Sequence, residues 1–253
     1  MTSPEITEAA ARLRDAERVV VFTGAGVSAE SGLPTFRTAD NAMWREVDVR
    51  NFAYPDGYRR NQPDAWRWYA ARAEAAGRVQ PNAGHLAIAE IERQVADFLL
   101  VTQNIDGLHQ RAGSRSVLEL HGNLRDVRCF DCGARTPWPD VLSRGDASCD
   151  ACGGLLRPDV VMFEEELPSG ALERAFEAAR QCDLLISAGT SNRVWPAADV
   201  PRYALRGGAQ VVIVNPDLSG QPVSQRVIPL RGASGTILPE LVRLAFGGES
   251  GHS

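Results

Sequence analysis

Val19-Val20-Val21-Phe22 runs directly into Thr23-Gly24-Ala25-Gly26, and few folds accommodate that junction. Four consecutive apolar, β-favouring residues are the pattern of a strand buried on both faces, as in a parallel sheet covered by helices. Gly24 and Gly26 then let the backbone turn tightly and approach a ligand closely. Ser28, Ala29, Glu30 and Ser31 read as the opening of a helix, whose free N–H groups and dipole favour a phosphate. Gly24-x-Gly26-x-x-Ala29 therefore fits the dinucleotide fingerprint of a βα turn in its alanine variant. The acidic ribose ligand expected at the end of a second strand is missing, because Asp40 and Asp48 fall in a polar, irregular stretch. The sequence thus points to a dinucleotide held in an unusual way.

Strand and helix patterns alternate along the rest of the chain. Residues 5–16 read as a helix with Ile6, Ala9, Ala10 and Leu13 on one face. Asn82 is placed to cap a helix through Gln94. Phe98–Val101, Val117–Leu120, Leu184–Ala188 and Gln210–Val214 read as strands, and helices are expected from about Ser169 to Arg180 and from Leu238 to Phe246. Such alternation implies a parallel, doubly wound α/β sheet. Gln103-Asn104-Ile105-Asp106, His121, Gly189-Thr190-Ser191 and Asn215 all fall just past strands, on the edge where such sheets bind ligands. Residues 38 to about 77 break the alternation. They carry Pro55 and Pro63 and a helix from Asp64 to Ala76, the pattern of a small helical insertion.

Cys129-x-x-Cys132 and Cys149-x-x-Cys152, sixteen residues apart, carry the spacing of a zinc site. Four thiolates fill a tetrahedral shell and leave no position for a reacting water, so the expected role is structural. The fifth cysteine, Cys182, stands alone before a strand and reads as a small buried hydrophobe. Reduced, metal-binding cysteines and an amphipathic N-terminus, rather than a signal peptide, point to the cytoplasm. A net charge of −5 with mixed signs argues against nucleic-acid binding, and no apolar run reaches the ~20 residues a membrane span needs.

His121 is the candidate general base: an ordinary imidazole suits proton transfer near neutral pH, and Gly122 leaves space beside it. His85 and His109 lie inside expected helices, where packing or capping is the default. Gln103, Asn104 and Asp106 offer amide and carboxylate groups suited to a ribose and a carboxamide.

The glycine stretch through Phe36-Arg37, Thr102-Gln103-Asn104-Ile105-Asp106, His121-Gly122, the four cysteines and Gly189-Thr190-Ser191 occur in the order seen in sirtuins, which the chain resembles from about residue 17 to 245. The resemblance implies a Rossmann-type doubly wound sheet formed by residues 1–37, 81–121 and 159–253. The helical insertion 38–80 and a zinc-ribbon at 122–158 would form a small module facing it across a cleft. It implies NAD-dependent deacylation of protein lysines, with NAD consumed, one structural zinc, and the products free lysine, nicotinamide and 2′-O-acyl-ADP-ribose. Gly24, Ala25, Gly26, Phe36 and Arg37 would line the NAD pocket, with Gln103, Asn104 and Asp106 around the nicotinamide ribose and carboxamide. Gly189, Ser191, Asn215 and Ala233 would surround the adenosine half. His121, acting as base, and Asn104 would be the catalytic residues. Val161 and Phe163 would pair with the substrate backbone as an added strand. Many sirtuins have Gly after the Phe of that segment, whereas this chain has Glu164.

Tyr69 and Arg72, three residues apart on one expected helix, share a face. From spacing alone Arg72 is a solvated charge. In the sirtuin class that resembles this chain, a Tyr-x-x-Arg pair lines the acyl pocket, and Ala53 matches a small residue that widens it. Arg72 can hold a terminal carboxylate with paired hydrogen bonds while Tyr69 donates a third, which implies succinyl- and malonyl-lysine as substrates and acetyl-lysine as a weaker one. Three other activities fit parts of the sequence: mono-ADP-ribosyl transfer, a conventional NAD oxidoreductase, and a zinc-ribbon binding module carrying a vestigial nucleotide fold.

Overall fold

The computed structural model describes residues 3–35, 48–144 and 147–247. Six strands run parallel: β1 (Arg18–Thr23), β2 (Asp97–Thr102), β3 (Val117–Glu119), β7 (Leu184–Ala188), β8 (Gln210–Asn215) and β9 (Val227–Arg231). Their spatial order is β3-β2-β1-β7-β8-β9. The chain winds outward from β1 in one direction, returns, and winds outward from β7 in the other, the order of a dinucleotide-binding doubly wound fold. The reversal falls between β1 and β7, so the carboxyl ends of those two strands flank a crevice.

Alternation within β1 feeds two cores. Val19 and Val21 pack with α1 (Pro4–Asp15), α5 (Ala83–Gln94) and α10 (Ser234–Phe246) on one face of the sheet. Val20 and Phe22 pack with α8 (Ala171–Gln181) and α9 (Val200–Gly207) on the other. The helices begin where side chains satisfy their first N–H groups. Ser3 Oγ accepts from the Ile6 amide at the start of α1. At α5, Asn82 Oδ1 accepts from the Gly84 and His85 amides while the Asn82 N–H donates to His85 Nδ1, a capping box closed by an imidazole.

The second sheet is antiparallel, with β4 (Gly122–Cys129) flanked by β5 (Arg135–Pro137) and β6 (Leu156–Val160). Around it lie α2 (Val49–Phe52), α3 (Pro55–Arg60), α4 (Gln62–Arg78) and α7 (Trp138–Arg144); α6 (Leu108–Arg111) follows β2. Tyr58, Ala65 and Tyr69 share a core with Trp138, Leu156 and Val160, and Trp66 stacks on Trp138 at 4.9 Å.

Three features differ from the expectations. Ser28 to Ser31 does not open an α-helix: the chain makes two single 3-10 turns, Ala25–Val27 and Ala29–Ser31. Gly32 ends the second turn in the left-handed region at φ 89°, and Pro34 follows, so no helix dipole forms here to hold a phosphate. α9 and β9 were not anticipated. β9 is an edge strand of alternating burial carrying Pro229, a pattern too short and too broken to stand out. α10 begins at Ser234, four residues before the apolar run that marks it. Among the described residues no helix is long and apolar enough to cross a membrane.

Candidate functional site

Two turns meet backbone to backbone at the reversal point. The Gly26 N–H donates to Gly189 O at 2.8 Å, and a Cβ on Gly26 would lie 2.7 Å from that oxygen. Gly189 sits at φ 61°, with Val27 N only 2.3 Å from where its own Cβ would be. Any side chain at either position would push β1 and β7 apart. Thr190, which follows, is a hub: its Oγ1 accepts from Gln103 Nε2 at 3.0 Å, and its carbonyl accepts from Asn215 Nδ2 at 2.8 Å and Gln221 Nε2 at 3.0 Å. Ser191 is exposed beside it. Ala233 is half-buried and caps α10, tied to the glycine turn by Glu30, whose carboxylate accepts from the Gly235 amide at 2.6 Å. Phe36 and Arg37 lie outside the described residues.

Behind the glycine turn runs a buried polar chain. Ser28 Oγ donates to Asp106 Oδ2 at 2.7 Å and accepts from Asn104 Nδ2 at 3.2 Å. Because His85 Nδ1 accepts from the Asn82 amide, its Nε2–H faces Ser28 Oγ, 3.4 Å away. Asn104 Nδ2 also donates to the Gly24 carbonyl. Thr23 Oγ1 lies 2.8 Å from Thr102 Oγ1 and 3.0 Å from His109 Nε2. Burial raises the Asp106 carboxyl, despite its bonds from Leu108 N–H and Ser28. Burial also pushes His85 down to about 4 and His109 well below the ordinary value. The sequence did not reveal His85 as a member of the site, and it placed Thr190 at the ligand edge without showing its part in the hydrogen-bond network. For Ser28 the visible signal was only that it belongs to the glycine stretch.

Two neutral buried imidazoles link folding to pH. The unfolded chain takes up protons as pH falls through 6.5, whereas the folded His85 resists until about 4. Stability is therefore complete above that window and declines as pH falls through it. We expect ~2 kcal/mol less stability at pH 5 than at pH 7 from His85 alone, read by urea unfolding. A flat profile over that range would contradict the burial of these rings.

His121 joins β3 to β4. Its Nδ1 lies 3.1 Å from the Gln103 carbonyl, which can only accept, so Nδ1 carries the proton and Nε2 keeps its lone pair. Burial holds this imidazole below its ordinary pKa, so it stays neutral and basic at physiological pH. Gly122 serves backbone geometry rather than ligand space: it adopts φ 73°, and its Cβ position is only 2.1 Å from Asp159 O on β6. The His121 carbonyl accepts from Val161 N–H at 2.9 Å, and Phe163 N–H donates to the Ala53 carbonyl at 2.8 Å. The strip Val161–Phe163 is thus tied at one end to the His121 backbone and at the other to the helical insertion. Glu164 takes φ 69°, the left-handed region that glycine enters without strain.

In α4, Tyr69 is buried and Arg72 is half-buried. The Arg72 guanidinium lies 3.3 Å from the Trp68 ring centre, and its Nη1 donates to the Trp68 carbonyl. It is close enough for its charge to act on the Tyr69 phenol. Spacing alone had placed Arg72 on a solvated face; an aromatic shelf holds it instead.

Cys129, Cys132, Cys149 and Cys152 bring their Sγ atoms within 4.8 Å of one another. Cys129 and Cys152 are 3.5 Å apart and Cys132 and Cys149 3.7 Å. A tetrahedral Zn–S₄ shell requires about 3.8 Å between sulfurs, so the cluster fits a structural zinc. Backbone N–H groups of Asp131 and Gly154 donate to Cys129 and Cys152 sulfur, spreading thiolate charge.

A model of the Sir2 family matches residues 24–196. A Pseudomonas aeruginosa protein named NAD-dependent protein deacylase 1 is 48% identical over 247 residues, 93% of this chain and 97% of that one. A solved Sir2 homologue–NAD complex is 40% identical with a TM-score of 0.86, covering 94% of this chain and 93% of that one. The structure of Sir2Af2 bound to a myristoylated histone peptide is 36% identical with a TM-score of 0.76, covering 95% and 96%.

Proposed function

The chain belongs to the Sir2 family of NAD-dependent protein-lysine deacylases, and from that premise we propose that it removes succinyl and malonyl groups in preference to acetyl. It is an enzyme that consumes NAD+, and its four cysteines fit a structural zinc site. When bound, NAD+ would supply a ribose whose C1′ takes the acyl oxygen as nicotinamide leaves and whose 2′-oxygen finally carries the acyl group, water completing the release of free lysine and 2′-O-acyl-ADP-ribose.

The protein's side chains then take these roles. His121 Nε2, its lone pair fixed by the Nδ1–Gln103 bond, accepts a proton from a ribose hydroxyl. Asn104, buried and oriented by Gly24 O and Ser28, follows Gln103, whose carbonyl holds His121, and is assigned to the same reaction. Gly24, Ala25 and Gly26 line the dinucleotide, and Gln103 and Asp106 flank its nicotinamide half. Gly189, Ser191, Asn215 and Ala233 flank its adenosine half. The donor set suits this ligand: amides, hydroxyls and backbone groups cluster at the strand ends, with no acidic ribose ligand of the hydride-transfer type at the end of β2 among the described residues. With their N–H groups already bonded to the His121 and Ala53 carbonyls, Val161 and Phe163 pair with the peptide backbone through their own carbonyls.

The observation that carries the acyl preference is the Arg72 guanidinium, parked on Trp68 one turn from the buried Tyr69. Ala53 joins this corner to the peptide edge through its carbonyl bond from Phe163. A succinyl chain ends in a carboxylate that matches the planar guanidinium fork, whereas an acetyl chain offers it nothing. Each charge-assisted bond contributes roughly 1.5–3 kcal/mol, or one to two decades of discrimination. Arg72→Met is therefore expected to lose at least ~10-fold in desuccinylation kcat/KM and to keep or gain deacetylation. The comparison uses one peptide bearing succinyl, malonyl, acetyl and myristoyl lysine. An unchanged succinyl-to-acetyl ratio refutes the acyl role of Arg72, and myristoyl as the best substrate refutes the dicarboxylic preference.

A further inference from the structure

Arg157 is one of the largest fully buried side chains, at 1% exposure, and it carries a full charge. An isolated guanidinium there would be prohibitive, so its partners matter. Glu165 answers it with both oxygens: Nη1 bonds Oε1, and Nη2 bonds Oε2 at 2.8 Å. Arg157 Nη2 also donates to the Val160 carbonyl at 2.7 Å. Glu165 Oε2 accepts in addition from the Met162 amide at 2.8 Å and pairs with Arg128 Nη2 at 3.2 Å. Arg128 reaches Asp159 at 3.7 Å, and Asp159 accepts from Arg135 Nε at 2.7 Å. Alternating charges therefore run from β5 across β4 and β6 into the loop Val160–Glu165.

That loop is fastened at every step. Val160 O is held by Arg157, Val161 N by the His121 carbonyl, Met162 N by the Glu165 carboxylate and Phe163 N by the Ala53 carbonyl. Two of these four ties come from the Arg157–Glu165 pair. The pair also lets Glu164 remain in the left-handed region, because Glu165 closes the turn from both its carboxylate and its own N–H to Met162 O.

We propose that Arg157 and Glu165 are positioning residues for the acylated peptide, the ion pair of buried Arg157 with half-buried Glu165 fixing the Val161–Phe163 backbone that receives the substrate strand. The proposal rests on the reading of Val161 and Phe163 as the peptide edge. A buried pair of this kind is poor evidence for stability, since well-packed apolar residues often replace one at no cost. Its distinguishable contribution is therefore to the geometry of one backbone strip.

The test compares wild-type holoenzyme with Glu165→Gln and with the double variant Arg157→Met/Glu165→Gln, which removes both charges together. We expect peptide KM to rise at least ~10-fold, because a small displacement of the docking strip misaligns the whole substrate. NAD KM and peptide-independent nicotinamide release should stay within about twofold, since neither uses this strip. Bound zinc should remain at the wild-type level, and hydrogen exchange should accelerate over residues 160–165 while β4 stays protected. A wild-type peptide KM in either folded variant overturns the proposal. So does a parallel change in peptide KM, NAD KM and zinc content, which would mark a merely structural pair. Should Glu165→Gln fail to fold, the double variant decides. If the wild-type protein deacylates no acyl-lysine peptide, the functional reading fails instead. The exchange rates then judge the positioning role alone, and unchanged exchange over 160–165 rejects it.

Discussion

Replacing His121 with alanine is expected to lower deacylation turnover by at least ~10²-fold, the usual scale for loss of a general base, while fold and metal content remain intact. The argument starts from one hydrogen bond. A carbonyl accepts and cannot donate, so Gln103 O fixes the proton of His121 on Nδ1 and leaves Nε2 as the basic atom. Burial holds the ring's pKa below its ordinary value. The imidazole therefore stays neutral at pH 7, and turnover in the wild type should fall only when pH drops through that lowered pKa. The alanine variant should lose this acidic limb together with its rate. Steady-state turnover from pH 5 to 8, with zinc content and thermal midpoint as controls, reads both effects. Normal turnover in the variant would assign the proton to another group. His85 and His109 are poor substitutes: both are fully buried, and they face Ser28 and Thr23.

Cys149→Ser is expected to abolish activity altogether, by a different route. Cys129 and Cys149 are members of the same apolar core as Tyr58, Tyr69, Trp138, Leu156 and Val160. Removing one thiolate opens the tetrahedral shell, and in small sites of this type metal binding is itself the folding free energy. The core then loses its fixed point, and with it the seat of Tyr69 and the strip Val161–Phe163. The parallel sheet has its own two cores and should remain folded. Elemental analysis should show metal loss, and limited proteolysis should cut between Cys129 and Cys152 while sparing the sheet. Full activity in protein shown to be metal-free would defeat the structural assignment.

The sequence made regular elements legible where a single physical signal dominated. β1 was readable because four apolar residues in a row are unusual outside a doubly covered strand. α5 was readable because Asn82 caps it, although the imidazole half of the capping box was not foreseen. The turn at Ser28 was misread because Gly32 and Pro34 stop a helix that the small polar residues seem to begin. β9 was lost because an edge strand needs neither continuous apolarity nor freedom from proline. The site divided in the same way. Metal ligands declare themselves by spacing, since two residues between cysteines on a turn already point both sulfurs inward. The Ser28–His85–Asp106 chain could not, because its members stand 57 and 78 positions from Ser28 and meet only after the sheet has formed. Glu165 was hidden for another reason: beside Glu164 and Glu166 it reads as one of three surface acids, and only the buried Arg157 singles it out.

The order of the strands also bears on how the molecule assembles. β1 pairs with β2 after one crossover, and β7 pairs with β8 after another, but Val19 finds Leu184 only after the chain has travelled to the far edge and back. That central pairing closes the largest loop in the sheet, so it is the entropically slowest contact to form. The thiolate cluster sits within that loop. A metal bound there would shorten that loop only by the stretch between Cys129 and Cys152, and closure cost varies with the logarithm of length, so the meeting of the Gly26 and Gly189 backbones is left to the packing of the sheet itself.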